Sequence, residues 1–171
     1  MTDTIVIRAA ETPRDLAAVQ KLCWEYRDFL LGFDDSMRSI VDTFYPLEAY
    51  AALIDSLAEK HARPKGIILL AEQDGTAIGC GMYHPLNGED CEIKRVFLRD
   101  TARGSGTGEA LSRALIEQAR EDGYRRILLD TNAKFTGARK LYEKLGFAQR
   151  NAYSDIPADV LPYLVFYELK L

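Results

Sequence analysis

The stretch Arg103-Gly104-Ser105-Gly106-Thr107-Gly108 lies between a predicted strand that ends near Arg99 and a predicted helix that begins near Thr107. Glycine permits backbone dihedral angles that other residues avoid, and it lets a ligand approach the main chain closely. The first turn of a helix leaves N–H groups without partners and carries a partial positive charge. Together these features predict a phosphate-binding loop at a helix N-terminus. A flexible connection is the structural alternative.

The spacing of the glycines narrows the class of ligand. A mononucleotide P-loop needs Lys-Ser or Lys-Thr after its last glycine, whereas Gly108 is followed by Glu109-Ala110. A dinucleotide fingerprint has two residues between its second and third glycines and follows the first strand of a doubly wound fold. This loop follows a predicted meander instead, so neither nucleotide site fits.

Strand and helix patterns alternate on both sides of the loop. Before it, the sequence predicts a strand, two helices and a meander of three antiparallel strands, at 2–9, 13–32, 46–61, 67–72, 77–83 and 90–99. After it, the sequence predicts helix, strand, helix and two closing strands, at 107–123, 125–130, 136–146, near Phe147 and at 163–169. The segment 33–45 has no clear period and is predicted to be a loop near the substrate. This order predicts a mixed sheet with helices on its faces, folded as a single domain over residues 1–171.

Composition and charge exclude several functional classes. The 171 residues are 47% hydrophobic and 28% charged, which is typical of a folded globular protein. The longest apolar runs, 67–71 and 163–167, are too short to cross a bilayer, and Asp3 and Arg8 interrupt the N-terminal apolar stretch. The sequence therefore predicts no membrane span, no secretory signal and a cytoplasmic location. A net charge of −4 gives no general attraction to nucleic acid or anionic lipid.

The three cysteines predict neither a disulfide framework nor a metal site. Cys23, Cys80 and Cys91 are odd in number and include no Cys-x-x-Cys pair. They are expected to be free thiols that pack as small apolar residues.

Two motifs in this order resemble those of a known family. Arg103-x-x-Gly106-x-Gly108 resembles the coenzyme A pyrophosphate loop of the GNAT superfamily of N-acetyltransferases, and the strand at 91–98 resembles its splayed strand. Ala138-x-x-Leu141-Tyr142-Glu143-Lys144-Leu145-Gly146-Phe147 resembles its second motif. The resemblance implies a mostly antiparallel sheet of six to seven strands with a splayed parallel pair, flanked by about four helices.

The resemblance also implies that acetyl-CoA is the co-substrate and that no metal takes part. The coenzyme would lie in an opening between the strand that ends near Leu98 and the strand at 125–130. The backbone of Val96, Phe97 and Leu98 would bind the pantetheine arm and the acetyl carbonyl. Main-chain amides of the loop would hold the pyrophosphate, and these belong to Arg103, Gly104, Ser105, Gly106, Thr107 and Gly108.

One position departs from the family pattern. Many members carry an asparagine seven residues before the motif tyrosine, where it contacts the pantetheine region, and here that place is Phe135. Asn132 is out of register with it, and Thr136 is predicted to be the helix cap.

Two residues are candidates for the acid–base chemistry. An alkylamine is almost wholly protonated at pH 7, so acetyl transfer benefits from a base. Some family members carry a general-base glutamate where Glu92 stands; a surface charge or a partner for Lys94 or Arg95 is the alternative. Tyr142 is expected to donate a hydrogen bond or proton to the departing thiolate, with a core aromatic residue as the alternative.

The two histidines attract less interest. His61 and His84 are isolated in the sequence and are predicted to lie in loops without a chemical role.

The sequence thus predicts an acetyl-CoA-dependent N-acetyltransferase that acts on a primary amine by direct attack in a ternary complex. A small-molecule amine is the favoured partner; a metabolite, an antibiotic-like amine and a protein amino group are all left open, and no nucleic acid or membrane is expected. The alternative is a non-catalytic acyl-CoA-binding sensor or regulatory domain. The aromatic C-terminal strand also leaves a homodimer open.

Overall fold

A seven-stranded mixed sheet organises residues 4–171, which are the residues that the computed structural model describes. Its strands follow the order β1-β2-β3-β4-β5-β7-β6, and only β4 and β5 pair in parallel. This confirms the predicted mixed, mostly antiparallel sheet with one parallel pair. The bounds are β1 Ile5–Ala9, β2 Ile67–Gln73, β3 Thr76–Pro85, β4 Asp90–Leu98, β5 Arg126–Asn132, β6 Ala148–Arg150 and β7 Leu164–Lys170. Thr2 and Asp3 of the predicted first strand lie outside the described residues.

Six α-helices cover the sheet in the described part of the chain, compared with the four or so that the sequence predicted. They are α1 Pro13–Phe33, α2 Asp35–Phe44, α3 Leu47–Asp55, α4 Leu57–Lys60, α5 Thr107–Glu121 and α6 Thr136–Lys144. Within residues 4–171, none of these helices combines the length and apolarity needed to cross a membrane.

The predicted loop at 33–45 is wrong, because this segment forms α2. The side chain of Asp34 accepts a hydrogen bond from the Met37 N–H at 3.1 Å and so caps the helix. Met37, Ile40 and Val41 are buried on one side of α2. Their three- and four-residue spacing after a capping aspartate is the signal that the sequence offered.

Two further boundaries differ from the prediction. The helix expected at 46–61 breaks at Ser56, whose hydroxyl donates to the Leu53 carbonyl at 3.0 Å, and this separates α3 from α4. Thr136 is the first residue of α6 and not its cap, since the preceding Phe135 takes the N-cap position and forms no side-chain hydrogen bond there.

The helices pack on both faces of the sheet. On one face, α5 contributes Leu111 and Leu115 to a core with Ile93 and Ile127. On the other face, α1 packs against β2, β3 and β4, and α2 continues from α1 towards β7 and the segment before it. The α1–α2 corner therefore packs on β4 and contacts the end of β5, where Asn132 donates a hydrogen bond to Met37.

Candidate active site

The sheet splits between β4 and β5. These strands pair only at Asp90–Arg126, Cys91–Ile127 and Glu92–Leu128. Beyond these pairs, β4 continues alongside β3 and β5 continues alongside β7. A cleft of about 850 Å³ occupies the opening and is lined by residues of both strands.

The closed end of the split is held by an ion pair. Arg126 Nη2 lies 2.7 Å from Asp90 Oδ2, and Arg126 Nη1 lies 2.9 Å from Glu168 Oε2 on β7. Hydrogen bonds from Arg126 lower the pKa of Asp90 despite its burial. The three strands are therefore tied together just before they separate.

The glycine loop borders the opening. Gly106 has φ +82°, in the left-handed region, and precedes α5 without a side-chain cap. The first-turn N–H groups of α5 thus remain available to an anion. A Cβ on Gly108 would lie 3.2 Å from Leu98 Cδ1, so the start of α5 packs closely on the end of β4.

Side chains within the loop fix its shape. The Arg103 guanidinium lies 4.5 Å from the centre of the Phe29 ring and 3.1 Å from Asp100 Oδ1. Ser105 Oγ donates to a main-chain carbonyl and lies 2.7 Å from Thr107 Oγ1. Among the residues predicted to bind the coenzyme, those that line the cleft are Val96, Phe97, Leu98, Arg103, Gly104, Gly106 and Gly108. Ser105 and Thr107 lie outside the lining.

Tyr142 lines the same cleft from α6. Its ring packs edge-on against Phe147 with ring centres 5.5 Å apart. Burial, helped by the charge of Asp130, raises the pKa of Tyr142 to about 12, so its hydroxyl stays protonated at neutral pH. No other described residue hydrogen-bonds this hydroxyl, which leaves it free to contact a ligand.

Glu92 lies in the cleft wall on β4 and is only 7% exposed. Its Oε1 lies 2.9 Å from His84 Nε2, and its Oε2 accepts from the Tyr153 hydroxyl at 2.5 Å and lies 3.6 Å from Lys94 Nζ. Burial raises the pKa of Glu92, but the hydrogen bonds and the charge of Lys94 outweigh it and lower the pKa to about 2. Glu92 is therefore an ionised carboxylate whose two oxygens are both engaged.

Residues 30–147 match the acetyltransferase (GNAT) family. The chain belongs to this family. It is 31% identical to an uncharacterised N-acetyltransferase of Schizosaccharomyces pombe over 98% of this chain and 95% of that protein. It is also 32% identical to an IAA acetyltransferase of Azospirillum brasilense over 90% of this chain and 91% of that protein.

Solved structures of GNAT proteins share the fold. An acetyltransferase from Streptococcus agalactiae superposes with a TM-score of 0.74 at 18% identity, covering 98% of both chains. A putative acetyltransferase from Salmonella typhimurium, solved with its cofactor acetyl-CoA, gives a TM-score of 0.65 at 21% identity over 97% of this chain and 93% of that chain. The family resemblance inferred from the two motifs is confirmed.

This GNAT protein carries site residues that the sequence argument missed. His84 lies in β3, not in a loop, and stands directly opposite Glu92 in the β3–β4 pairing. Its ring nitrogens lie 2.9 Å from Glu92 Oε1 and 2.9 Å from the Pro85 carbonyl oxygen. Each ring nitrogen of His84 therefore faces an oxygen that can accept a hydrogen bond. The hairpin turn at Asn87-Gly88 was the signal that could have paired His84 with Glu92.

No pattern in the sequence pointed to Tyr153 as a site residue. It follows β6 in an irregular segment, 61 residues from Glu92 in the chain, and its hydroxyl also lies 3.4 Å from Asp130 Oδ2. The contact between Tyr153 and Glu92 depends on the tertiary fold alone.

Phe135, the position that departs from the family pattern, packs against another aromatic ring. Phe135 lines the cleft and packs on Phe33, with ring centres 4.8 Å apart. The Asn132 side chain is buried, where it donates to Met37 Sδ and accepts from the Lys134 N–H. Both polar atoms of its side-chain amide therefore already have partners within the protein.

No thiol or metal group faces the cleft in the part of the chain that the structure describes. Cys23, Cys80 and Cys91 are free and buried, and none of them lines the cleft. Residues 4–171 contain no group of three or more His, Cys, Asp or Glu side chains placed to hold a metal ion.

The low pKa of Glu92 predicts a specific dependence of stability on pH. The carboxylate stabilises the fold above its unfolded pKa of about 4.3, and this stabilisation is lost as the pH falls towards 2. We expect the difference in unfolding free energy between the native protein and Glu92→Gln to narrow by about 1 kcal/mol from about pH 6 to about pH 3.5. Urea denaturation at each pH measures it.

The matched control is Glu89→Gln, whose side chain is 65% exposed. The difference in unfolding free energy between Glu89→Gln and the native protein should stay nearly constant over the same pH range. If the difference in unfolding free energy were equally constant for Glu92→Gln, this would contradict the low pKa of Glu92.

Proposed function

We propose that this GNAT protein transfers the acetyl group of acetyl-CoA to the primary amino group of a small molecule, by direct attack in a ternary complex. The observation that carries the proposal is the juxtaposition of the β4–β5 split with the uncapped first turn of α5. The close contact between Gly108 and Leu98 brings these two features together. A diphosphate bound at the helix would direct the rest of the coenzyme into the split.

The edge of β4 supplies the next part of the binding site. Val96–Leu98 have no pairing partner on the β5 side, because the pairing ends at Glu92. Main-chain polar groups in a buried cleft require partners, and the amides of a pantetheine arm provide them. The Salmonella typhimurium structure with acetyl-CoA supports this choice of ligand.

Glu92 is assigned to the amino group of the acceptor. Removing the proton from an alkylammonium at pH 7 costs on the order of 4 kcal/mol. A carboxylate with a pKa of about 2 draws the ammonium form into the cleft but stores its proton poorly. To accept that proton directly, Glu92 would first have to release His84 or Tyr153. We therefore assign the final proton uptake to water and the binding of the amine to Glu92.

The chemical step needs one proton donor. The amine nitrogen forms a bond to the acetyl carbon, and the bond between that carbon and the coenzyme sulfur breaks. The protonated Tyr142 hydroxyl would donate a hydrogen bond to the departing thiolate. The absence of a cysteine from the cleft lining favours direct attack over an acetyl-cysteine intermediate.

Thiol release from acetyl-CoA over a panel of amines tests the function. We expect at least one amine to release coenzyme A in a one-to-one ratio with acetylated product, detected by mass spectrometry. Initial-rate plots against both substrates should intersect, as for a ternary complex. Tight binding of acetyl-CoA without transfer to any amine would overturn the proposal and favour the acyl-CoA-binding sensor.

Loop variants test how the coenzyme is held. Gly106→Val places a branched side chain at a left-handed φ, which distorts the amides that would bind the pyrophosphate. We expect its Kd for acetyl-CoA, measured by calorimetry, to rise by about 100-fold or more. Arg103→Ala retains the amide and should raise the Kd by only about 3- to 10-fold.

Gly88→Val is the matched control, because a Cβ at this turn would meet no atom within 4 Å. Its affinity for acetyl-CoA should equal that of the native protein. Equal losses in Gly106→Val and Arg103→Ala would argue against main-chain recognition.

Tyr142→Phe tests the proton donor. The ring and its packing remain, while the hydroxyl that faces the cleft is removed. We expect kcat to fall by about 100-fold with a change of less than about twofold in the Kd for acetyl-CoA. Steady-state kinetics and calorimetry measure the two quantities. Unaltered kcat would assign Tyr142 to the core alone.

A further inference from the structure

Arg95 occupies an irregular position in β4. Its φ of +52° lies in the left-handed region, and the β3–β4 register shifts opposite it, between Cys80 and Met82. The face of β4 that packs on α5 carries Ile93, Val96 and Leu98. Side chains of a regular strand alternate between faces, so this alternation is shifted by one residue between Ile93 and Val96. The extra residue at this bulge is Arg95.

The bulge directs Arg95 away from the α5 core. Its Nη2 lies 3.0 Å from His61 Nε2, and His61 follows α4 on the opposite face of the sheet. The regular alternation of a strand would have given Arg95 the same face as Ile93. A left-handed conformation is unfavourable for arginine, and such strain is often found where a side chain is placed for function.

The guanidinium is buried without a balancing negative charge. Arg95 is only 6% exposed and lines the cleft. Its Nε is buried and has no hydrogen-bond partner, and no carboxylate oxygen in residues 4–171 lies within 4 Å of its nitrogen atoms. Burying an unpaired charge is unfavourable, so an anion that enters the cleft would find an uncompensated partner.

His61 orients Arg95 but does not neutralise it. Because Arg95 donates to Nε2, the neutral ring carries its proton on Nδ1, which donates to the Tyr83 carbonyl at 2.8 Å. Burial lowers the pKa of His61 to about 3, which keeps the ring uncharged. The ring can therefore fix the direction of the guanidinium without adding or removing charge.

The surrounding charges leave this end of the cleft positive. Lys94 Nζ lies 3.6 Å from Glu92 Oε2 and 3.6 Å from Asp130 Oδ2, so these carboxylates already have a cation beside them. Lys60, at the end of α4, lines the same cleft and has no carboxylate within 4 Å among the described residues. Burial and the charges of Arg95 and Lys94 lower the pKa of Lys60, as expected where cations cluster. The local charge is thus opposite in sign to the net charge of −4.

We infer that the acceptor is an amine that also carries a carboxylate, and that Arg95 and Lys60 bind this carboxylate. The inference rests on the proposed acetyl transfer and specifies the acceptor of that reaction. A planar guanidinium with free N–H donors matches the geometry of a carboxylate. Glu92 and Arg95 lie three residues apart on the same strand and both line the cleft, so an amino acid with an amino group near Glu92 has its carboxylate on the side of Arg95.

Paired acceptors test the inference. Amino acids are compared with their carboxamides, which keep the amine and remove the negative charge. We expect kcat/KM of the native protein to be about 10- to 100-fold higher for the best amino acid than for its amide. Matching amines with a phosphonate instead of the carboxylate form a third arm, and a preference for them would overturn the carboxylate assignment.

Variants connect this preference to the two cations. Arg95→Met should raise KM for the amino acid by about 10-fold or more, while the rate with the amide and the Kd for acetyl-CoA stay within about twofold. Lys60→Met, at the exposed end of α4, should give a smaller rise in KM for the amino acid, of about 3-fold. This variant tests the inference while leaving the buried Arg95 in place. Arg38→Met removes an exposed cation outside the cleft and should change neither rate.

A binding measurement separates the inference from the transferase proposal. Coenzyme A-loaded protein is titrated with the amino acid and with its amide by calorimetry, which requires no turnover. Tighter binding of the amino acid that is lost in Arg95→Met supports the inference even if no acetyl transfer occurs. Equal binding and equal rates for amino acid and amide would overturn the inference while leaving acetyl transfer intact. A rise in the Kd for acetyl-CoA in Arg95→Met would assign Arg95 to the coenzyme instead.

Discussion

The short parallel pairing between β4 and β5 is the constraint on which the rest of the structure depends. Three residue pairs join the strands, and the Asp90–Arg126 ion pair holds them at the end of the split. Each strand then follows its antiparallel neighbour, so the sheet opens without losing its outer pairings. The inner edges of both strands are left with main-chain groups that a ligand can satisfy. The cleft is therefore a consequence of strand pairing rather than of a loop laid over a closed sheet.

Charge is distributed unevenly around this opening. On β4, Glu92 is surrounded by donors from three different elements, and the resulting low pKa gives a fixed negative charge in a buried place. Among residues 4–171, the guanidinium of Arg95 on the same strand hydrogen-bonds only to the neutral side chain of His61. Because interactions between charges are stronger in a poorly hydrated interior than in water, a substrate with two opposite charges would meet complementary groups at both ends.

Local signals in the sequence were sufficient for most of the order of elements along the chain, and the resemblance of the glycine loop and of the motif around Tyr142 was sufficient for the family. Helix α2 was missed although Met37, Ile40 and Val41 follow a capping aspartate at helical spacing. The Glu92–His84 contact could have been inferred from the hairpin register, and the bulge at Arg95 from the slipped alternation between Ile93 and Val96.

Other features depend on contacts between distant parts of the chain. Tyr153 reaches Glu92 from an irregular segment with no period or motif of its own. The burial that shifts the pKa values of His61 and Tyr142, and the contacts that lower the pKa of Glu92, likewise arise only in the folded chain. Sequence patterns identify which residues can do chemistry, whereas protonation is determined by the assembled interior.

The corner between α1 and α2 has a mechanical consequence for the split. Asp34, which caps α2, also pairs with Lys134 beyond β5 at 2.6 Å, and Phe33 at the end of α1 packs on Phe135. Since α1 rests on β3 and β4, the corner acts as a brace between the two arms. The corner thus connects the two strands by helix packing in the region where no sheet hydrogen bonds join them. A change in the packing of α2 is therefore transmitted to both walls of the cleft, which α2 itself lines through Met37, Ile40 and Phe44.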